Sequence, residues 1–189
     1  MNGAEPAFFV IIGVLLVILL WFFGTYNGLV RLRNHMRESW HNIDVQLKRR
    51  YDLIPNLVST VKGYAKHEQE LLERVMRERA KAHENHGSVA SQEADERPLV
   101  RSLGRLIALQ EAYPDLKADT QFLALQEELV DTEDRIAAAR RFFNANVRDY
   151  NSRCETMPSA IVAGMFGHKP ESFWEVEEAS VRENPALDL

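Results

Sequence analysis

Between Ala7 and Phe23 the chain runs 17 residues without a charge, and Gly24 to Tyr26 extend the uncharged run to 20. As a helix rising about 1.5 Å per residue, that run covers about 30 Å, the thickness of a bilayer's hydrocarbon core. Trp21 and Tyr26 lie at its far end, where amphipathic rings favour the headgroup region. A cleaved signal peptide fits poorly, because no Lys or Arg precedes the run and no A-x-A-like site follows it. The sequence therefore predicts a transmembrane helix at residues 7–26 behind a short extracytoplasmic leader, residues 1–6. Everything after it must fold tethered to a bilayer.

Charge orients the span. Arg31, Arg33 and Arg37 follow it closely, which favours an N-terminus outside and a cytoplasmic remainder. The lone cysteine, Cys154, excludes an internal disulfide and fits a reducing compartment. Residues 26–82 carry 12 basic against 7 acidic side chains, whereas residues 83–189 carry 11 against 20. The basic part would sit nearest an anionic leaflet. The acidic remainder argues against nucleic acid as a partner.

Beyond the span the periodicity is helical. Leu29, Leu32, Met36, Trp40, Ile43, Leu47 and Tyr51 advance by about 3.67 residues per step, above the 3.5 of a left-handed coiled coil, so a packed bundle is expected. Pro55 should break this helix and open a second over residues 55–85. Residues 85–97 are polar and aperiodic and read as a loop. A third helix over 98–113, a turn on Pro114 and Asp115, and a fourth helix over 117–155 ended by Met157-Pro158 complete the pattern. The expected fold is all-α: a transmembrane helix, then an antiparallel four-helix up-and-down bundle over residues 27–157. Residues 158–189 form an irregular C-terminal flap carrying Ile161, Val162, Met165, Phe166, Phe173 and Trp174, packed on the bundle rather than anchored at the interface, with a disordered acidic end from about Glu178.

Helices of these lengths would overshoot a straight continuation of the span and push Arg148, Asp149 and Arg153 toward lipid. A break is therefore expected, with Gly24 and Gly28 as candidate hinges.

Two long stretches resemble the bacterial LemA family: "YNGLVRLRNHMRESWHNIDVQLKRRYDLIPNLVSTVKGYAKHE", residues 26–68, and "EAYPDLKADTQFLALQEELVDTEDRIAAARRFFNANVRDYN", residues 111–151. "FGHKPESFWE", residues 166–175, resembles the family's closing motif, with His168 where a Phe is usual. The resemblance covers about residues 5–175 and implies one N-terminal membrane helix with a cytoplasmic helical bundle. It implies no established enzymatic reaction. Some relatives are tied to magnetosome membrane formation, and others are encoded near membrane metalloproteases or small membrane-anchored domains, which suggests protein partners of those kinds.

"IDVQLKRRYDLIPNLV", residues 43–58, sets charge inside the apolar stripe. On a helical wheel Arg50 lies about 20° from Ile43 and Asp44 about 40° from Trp40, so both edge toward the core. Asp44 and Lys48 are spaced for an i,i+4 pair. Asp52, Asn56 and the Pro55 turn could cap a second helix, and across the bundle Glu128, Glu133, Asp134 and Arg135 offer complementary charge to the corner. The group Asp44, Lys48, Arg49, Arg50, Asp52, Pro55 and Asn56 reads first as a structural corner and second as a docking surface for a partner.

Chemistry is sparse. His67-Glu68 lacks the second histidine of H-E-x-x-H, and His83 with His86 has no carboxylate set around it, so no metal is expected. Cys154 has no histidine near in sequence, and no G-x-S-x-G, phosphate loop or dinucleotide fingerprint occurs. The expectation is a non-enzymatic, membrane-anchored scaffold or interaction protein without cofactors, its homo-oligomerisation left open. An unrecognised metal-dependent hydrolase and a membrane sensor or stalk are the alternatives.

Overall fold

One helix, α1, runs without interruption from Ala4 to Tyr64 in the computed structural model, which describes residues 4–175 and their side chains from Phe8 onward. It is followed by α2 (Gln69–Glu84), α3 (Val89–Ala108), a 3₁₀ turn (Leu109–Glu111), α4 (Pro114–Lys117), α5 (Thr120–Glu155) and α6 (Ser159–Met165). Among the described residues the structure is all-α, with no strand. The leader's first three residues and the acidic end from about Glu178 lie outside the described residues.

Its first segment, Phe8 to Leu20, is exposed and apolar throughout, and α1 is long and apolar enough there to cross a membrane. The helix then passes through Gly24 and Gly28, so the break expected at one of them is absent. A Cβ would meet nothing at Gly24 and only the Arg153 guanidinium at 4.0 Å at Gly28, so neither position requires glycine.

Pro55 does not end the helix either. A mid-helix proline removes one N–H and orphans the carbonyl four residues earlier, here that of Tyr51. The Arg79 guanidinium on α2 donates to that oxygen from Nε at 2.7 Å and replaces the missing bond. Buried Ile54 and Leu57 on either side hold the helix in place. The reversal comes instead at residues 65–68, where the Ala65 N–H and Glu68 N–H continue the bonding at 2.8 and 3.1 Å. The expected second helix is correspondingly short, and the lengths that demanded a hinge do not arise.

The chain divides into two compact units, residues 4–43 with 141–171 and residues 44–140 with 172–175. Within the first, the Trp40 and Phe143 rings pack at a tilt with centres 5.5 Å apart and Asn146 donates to the His35 carbonyl, so α1 and α5 run antiparallel there. Within the second, Arg49 meets Glu128, and Tyr64 donates to Asp119 at 2.7 Å, again antiparallel. Asp119 also caps α5 by accepting from the Phe122 N–H at 2.7 Å. That backbone bond and the Tyr64 hydroxyl lower its pKa below the ordinary carboxylate value.

Both long helices bury a residue every seven: Leu29, Met36, Ile43, Arg50 and Leu57 on α1, and Phe122, Leu129, Ile136, Phe143 and Tyr150 on α5. This is a heptad period. The wider spacing expected from sequence arose because the apolar stripe was followed to Tyr51, whereas the heptad position is filled by Arg50.

Residues 89–97, expected as loop, are the first half of α3, opened by Ser88, whose hydroxyl accepts from the Ser91 N–H. Apolar periodicity misses them because their inward face is polar: Gln92, Glu93 and Glu96 are buried. The expected flap divides: Val162 and Trp174 are buried, whereas Ile161, Met165, Phe166 and Phe173 are exposed.

Candidate functional site: a buried ion network

Arg50 occupies a core heptad position and is 1% exposed. A charge so placed must be matched in full, because desolvation otherwise exceeds any gain from pairing. Its guanidinium donates to Glu96 on α3 and to both carboxylate oxygens of Glu133 on α5, at 2.8 and 3.1 Å. Burial works against the charge, but Glu96 and Glu133 outweigh it and hold the Arg50 pKa above its ordinary value.

Glu96 is itself shared. The Tyr51 hydroxyl donates to it, and the Gln92 amide donates to it at 2.9 Å. Burial, then the neighbouring Glu96 charge, drives the Tyr51 pKa well upward, so the phenol stays a donor. The Gln92 amide also reaches the Ala82 carbonyl in the last turn of α2, at 3.0 Å. Four helices, α1, α2, α3 and α5, are thus tied through Arg50, Tyr51, Gln92, Glu96 and Glu133.

Beside the network is a pocket of about 390 Å³, lined by three arginines, Arg50, Arg97 and Arg140, and by five carboxylates, Glu93, Glu96, Glu133, Asp134 and Glu175. Trp174, 2% exposed, forms one wall and receives the Arg140 guanidinium at 5.6 Å from its ring centre. Burial lowers the Arg140 pKa. Glu93 accepts from Arg97 and from the Glu175 N–H at 3.1 Å, fastening the segment that carries Trp174. The lining holds no Ser, Cys, Thr, His or Lys.

The sequence-selected corner separates into two faces. Arg49 pairs with Glu128 at 3.0 Å and Asp131 at 3.8 Å, half in solvent. Asp44, Lys48, Asp52 and Asn56 fall four apart on the outer face of α1 and are exposed. Asp44 does not edge into the core, because it lies about 100° from Ile43 and the inward face centres there. Among the described residues Asp44 and Lys48 form no pair with each other. Asp52 and Asn56 cap nothing, since α1 continues past both, and Pro55 marks no turn.

Of the residues expected to complement the corner, Glu128 and Glu133 meet Arg49 and Arg50, whereas Arg135 pairs with Asp131 within α5. Glu96 and Gln92 lie outside the residues the sequence singles out, and Tyr51 enters there only as a member of the apolar stripe. The signal available was spacing: continuing the Leu99, Leu103 and Leu106 stripe back along α3 puts Glu96, Glu93 and Gln92 on the same face.

His83 is exposed and its ring meets the edge of Tyr51, while His67 and His86 are exposed. Among the described residues no three His, Cys, Asp or Glu side chains are grouped to hold a metal ion. Cys154 is buried, and burial pushes its thiol pKa up. Its neighbour Tyr150 is pushed up to about 12, chiefly by burial, and its hydroxyl pairs with His168 Nδ1 at 3.0 Å.

Two relatives resemble the chain over most of its length. Protein LemA of Metamycoplasma hominis is 28% identical over 165 residues, 86% of this chain and 75% of that protein. Magnetosome protein MamQ of Magnetospirillum gryphiswaldense is 25% identical over 179 residues, 82% of this chain and 66% of that protein. The model of the LemA family matches residues 39–189, a stretch that contains the whole network of Arg50, Tyr51, Gln92, Glu96 and Glu133. The chain belongs to the LemA family.

Proposed function

We propose that the protein is a single-pass membrane scaffold: residues 7–26 anchor it in a bacterial inner membrane, and an up-and-down helical bundle on the cytoplasmic side recruits another protein. The observation that carries this reading is α1 itself. One helix begins as an exposed apolar segment and continues into the buried heptad face, so the anchor and the packed domain are parts of one element. The ion network stiffens that element where it meets α2, α3 and α5, and rigid helices suit presentation of a surface. Of the carboxylates lining the pocket, Glu93, Glu96, Glu133 and Glu175 are engaged by arginines, and no Ser, Cys, Thr, His or Lys lines it, which supports a binding role over an enzymatic one. The likeness to a magnetosome protein supports a role in organising a cell structure.

The face offered to a partner is the outer stripe of Asp44, Lys48, Asp52 and Asn56. A photoreactive residue at Lys48 or Asp52, activated in native membranes, should yield one recurrent cross-linked protein, lost on reversing the stripe's charges. Cross-links confined to the chain's own helices would overturn the scaffold reading, and release of the protein by alkaline carbonate would overturn the anchor.

A further inference from the structure

The short helix α6 carries four exposed apolar side chains within ten residues: Met157 just before it, Ile161, Met165 and Phe166, at 67, 54, 67 and 49% exposure. Its opposite face is buried through Ser159, Val162 and Ala163. So dense an apolar patch on a small helix calls for a cover.

Its position supplies one. At the N-terminal end of α6, Met157, Pro158 and Ser159 line a pocket of about 300 Å³ together with Trp21 and Thr25. At the other end the Phe166 ring packs on Tyr26 at 4.5 Å and on Phe22 at 5.9 Å. Both ends of α6 therefore lie beside the short stretch Trp21 to Tyr26 of α1, the end of its apolar run, which sets α6 across α1 rather than along it. Asp149 and Arg153 line the same pocket as Trp21, which sets this turn at the level where charge meets the apolar span. A helix lying across a membrane span at its aromatic end is in the plane of the interface.

We infer that α6 is an in-plane membrane helix whose Met157, Ile161, Met165 and Phe166 enter the acyl boundary of the leaflet into which α1 emerges. The inference rests on the proposal that α1 spans the bilayer. Its occupant is lipid, not protein, because the patch is apolar and its ends lie beside Trp21 to Tyr26, directly after the exposed apolar run of Phe8 to Leu20. Attachment is by apolar area: next to α6 along the chain, Glu155 and Glu171 balance Arg153 and Lys169.

The test places a single environment-sensitive fluorophore on the full-length chain in phosphatidylcholine nanodiscs, at Ile161→Cys or Met165→Cys in a Cys154→Ala background. Leu16→Cys reports the span, and Glu127→Cys reports water. Quenching of both α6 probes by a shallow spin-labelled lipid, at a depth of about 5–10 Å, with protection from an aqueous quencher and no dependence on salt, is the expected result. Probes at 161 and 165 that behave like Glu127→Cys, while Leu16→Cys is quenched by lipid, would overturn the inference and leave the anchor standing. Loss of lipid quenching at Leu16→Cys would overturn the anchor, and the inference with it.

Discussion

The Arg79 side chain donates to the main-chain carbonyl of Tyr51, the oxygen that Pro55 leaves without a helical donor. A side chain on α2 thereby lets α1 continue through a residue that ordinarily ends a helix. Arg79→Ala should cost about 1–3 kcal/mol, the penalty of an abandoned carbonyl that was held by a charged donor. In a Pro55→Ala background the same substitution should cost far less, because an alanine there restores the missing N–H. Urea midpoints of the four proteins in detergent decide the matter; additive effects would mean that Arg79 and Pro55 are not coupled.

Arg50 and Glu96 are not equivalent partners. Arg50→Met strands Glu96 in the core, and removing one side of a buried pair costs about 3–5 kcal/mol. Glu96→Gln leaves Arg50 still bonded to Glu133 and should cost clearly less. The double substitution Arg50→Met with Glu96→Gln should recover part of the loss of Arg50→Met alone. Equal losses for the two single variants would show that Glu133 contributes little to holding the guanidinium.

How much of this could be read in advance depends on what faces inward. The α1 stripe and the α5 heptad are apolar at nearly every buried position, and periodicity locates them from Leu29 to Leu47 and from Phe122 to Tyr150. Arg50 was placed near the core by spacing alone, and its partner Glu133 was among the acidic residues named opposite it. The first half of α3 was illegible because its inward face is Gln92, Glu93 and Glu96, which on composition look like solvent-facing loop. Pro55 misled for a different reason: its local preference is real, but Arg79, distant in sequence, removes the cost. Neither Glu96 nor Arg79 can be paired with its partner by any pattern local to one helix.

Trp174 is held by its own burial, by the Arg140 guanidinium, and by the bond from the Glu175 N–H to Glu93. It lies in the non-helical stretch after α6, so its removal should release a segment rather than unfold a domain. Trp174→Ala should sharply raise hydrogen exchange at the Glu175 amide while moving the global unfolding midpoint little. Unchanged exchange there would show that Glu93 and Arg97 fasten the segment without the indole.

His168 should make stability pH-dependent in a defined direction. Burial, and secondarily the Arg33 charge, lower its pKa below the ordinary histidine value. Its Nδ1 meets the Tyr150 hydroxyl at 3.0 Å and its ring meets the edge of Tyr26. The unfolded chain therefore takes up a proton on this side chain at higher pH than the folded chain does. Stability from this group is complete above the unfolded value, about 6.5, and declines as pH falls below it toward the lower folded value. His168→Phe removes the titration, so the melting temperatures of the two proteins should diverge below about pH 6.5, with the wild type losing more. Parallel curves from pH 8 to 5 would mean that His168 titrates alike in both states, and that the Tyr150 contact is neutral to its protonation.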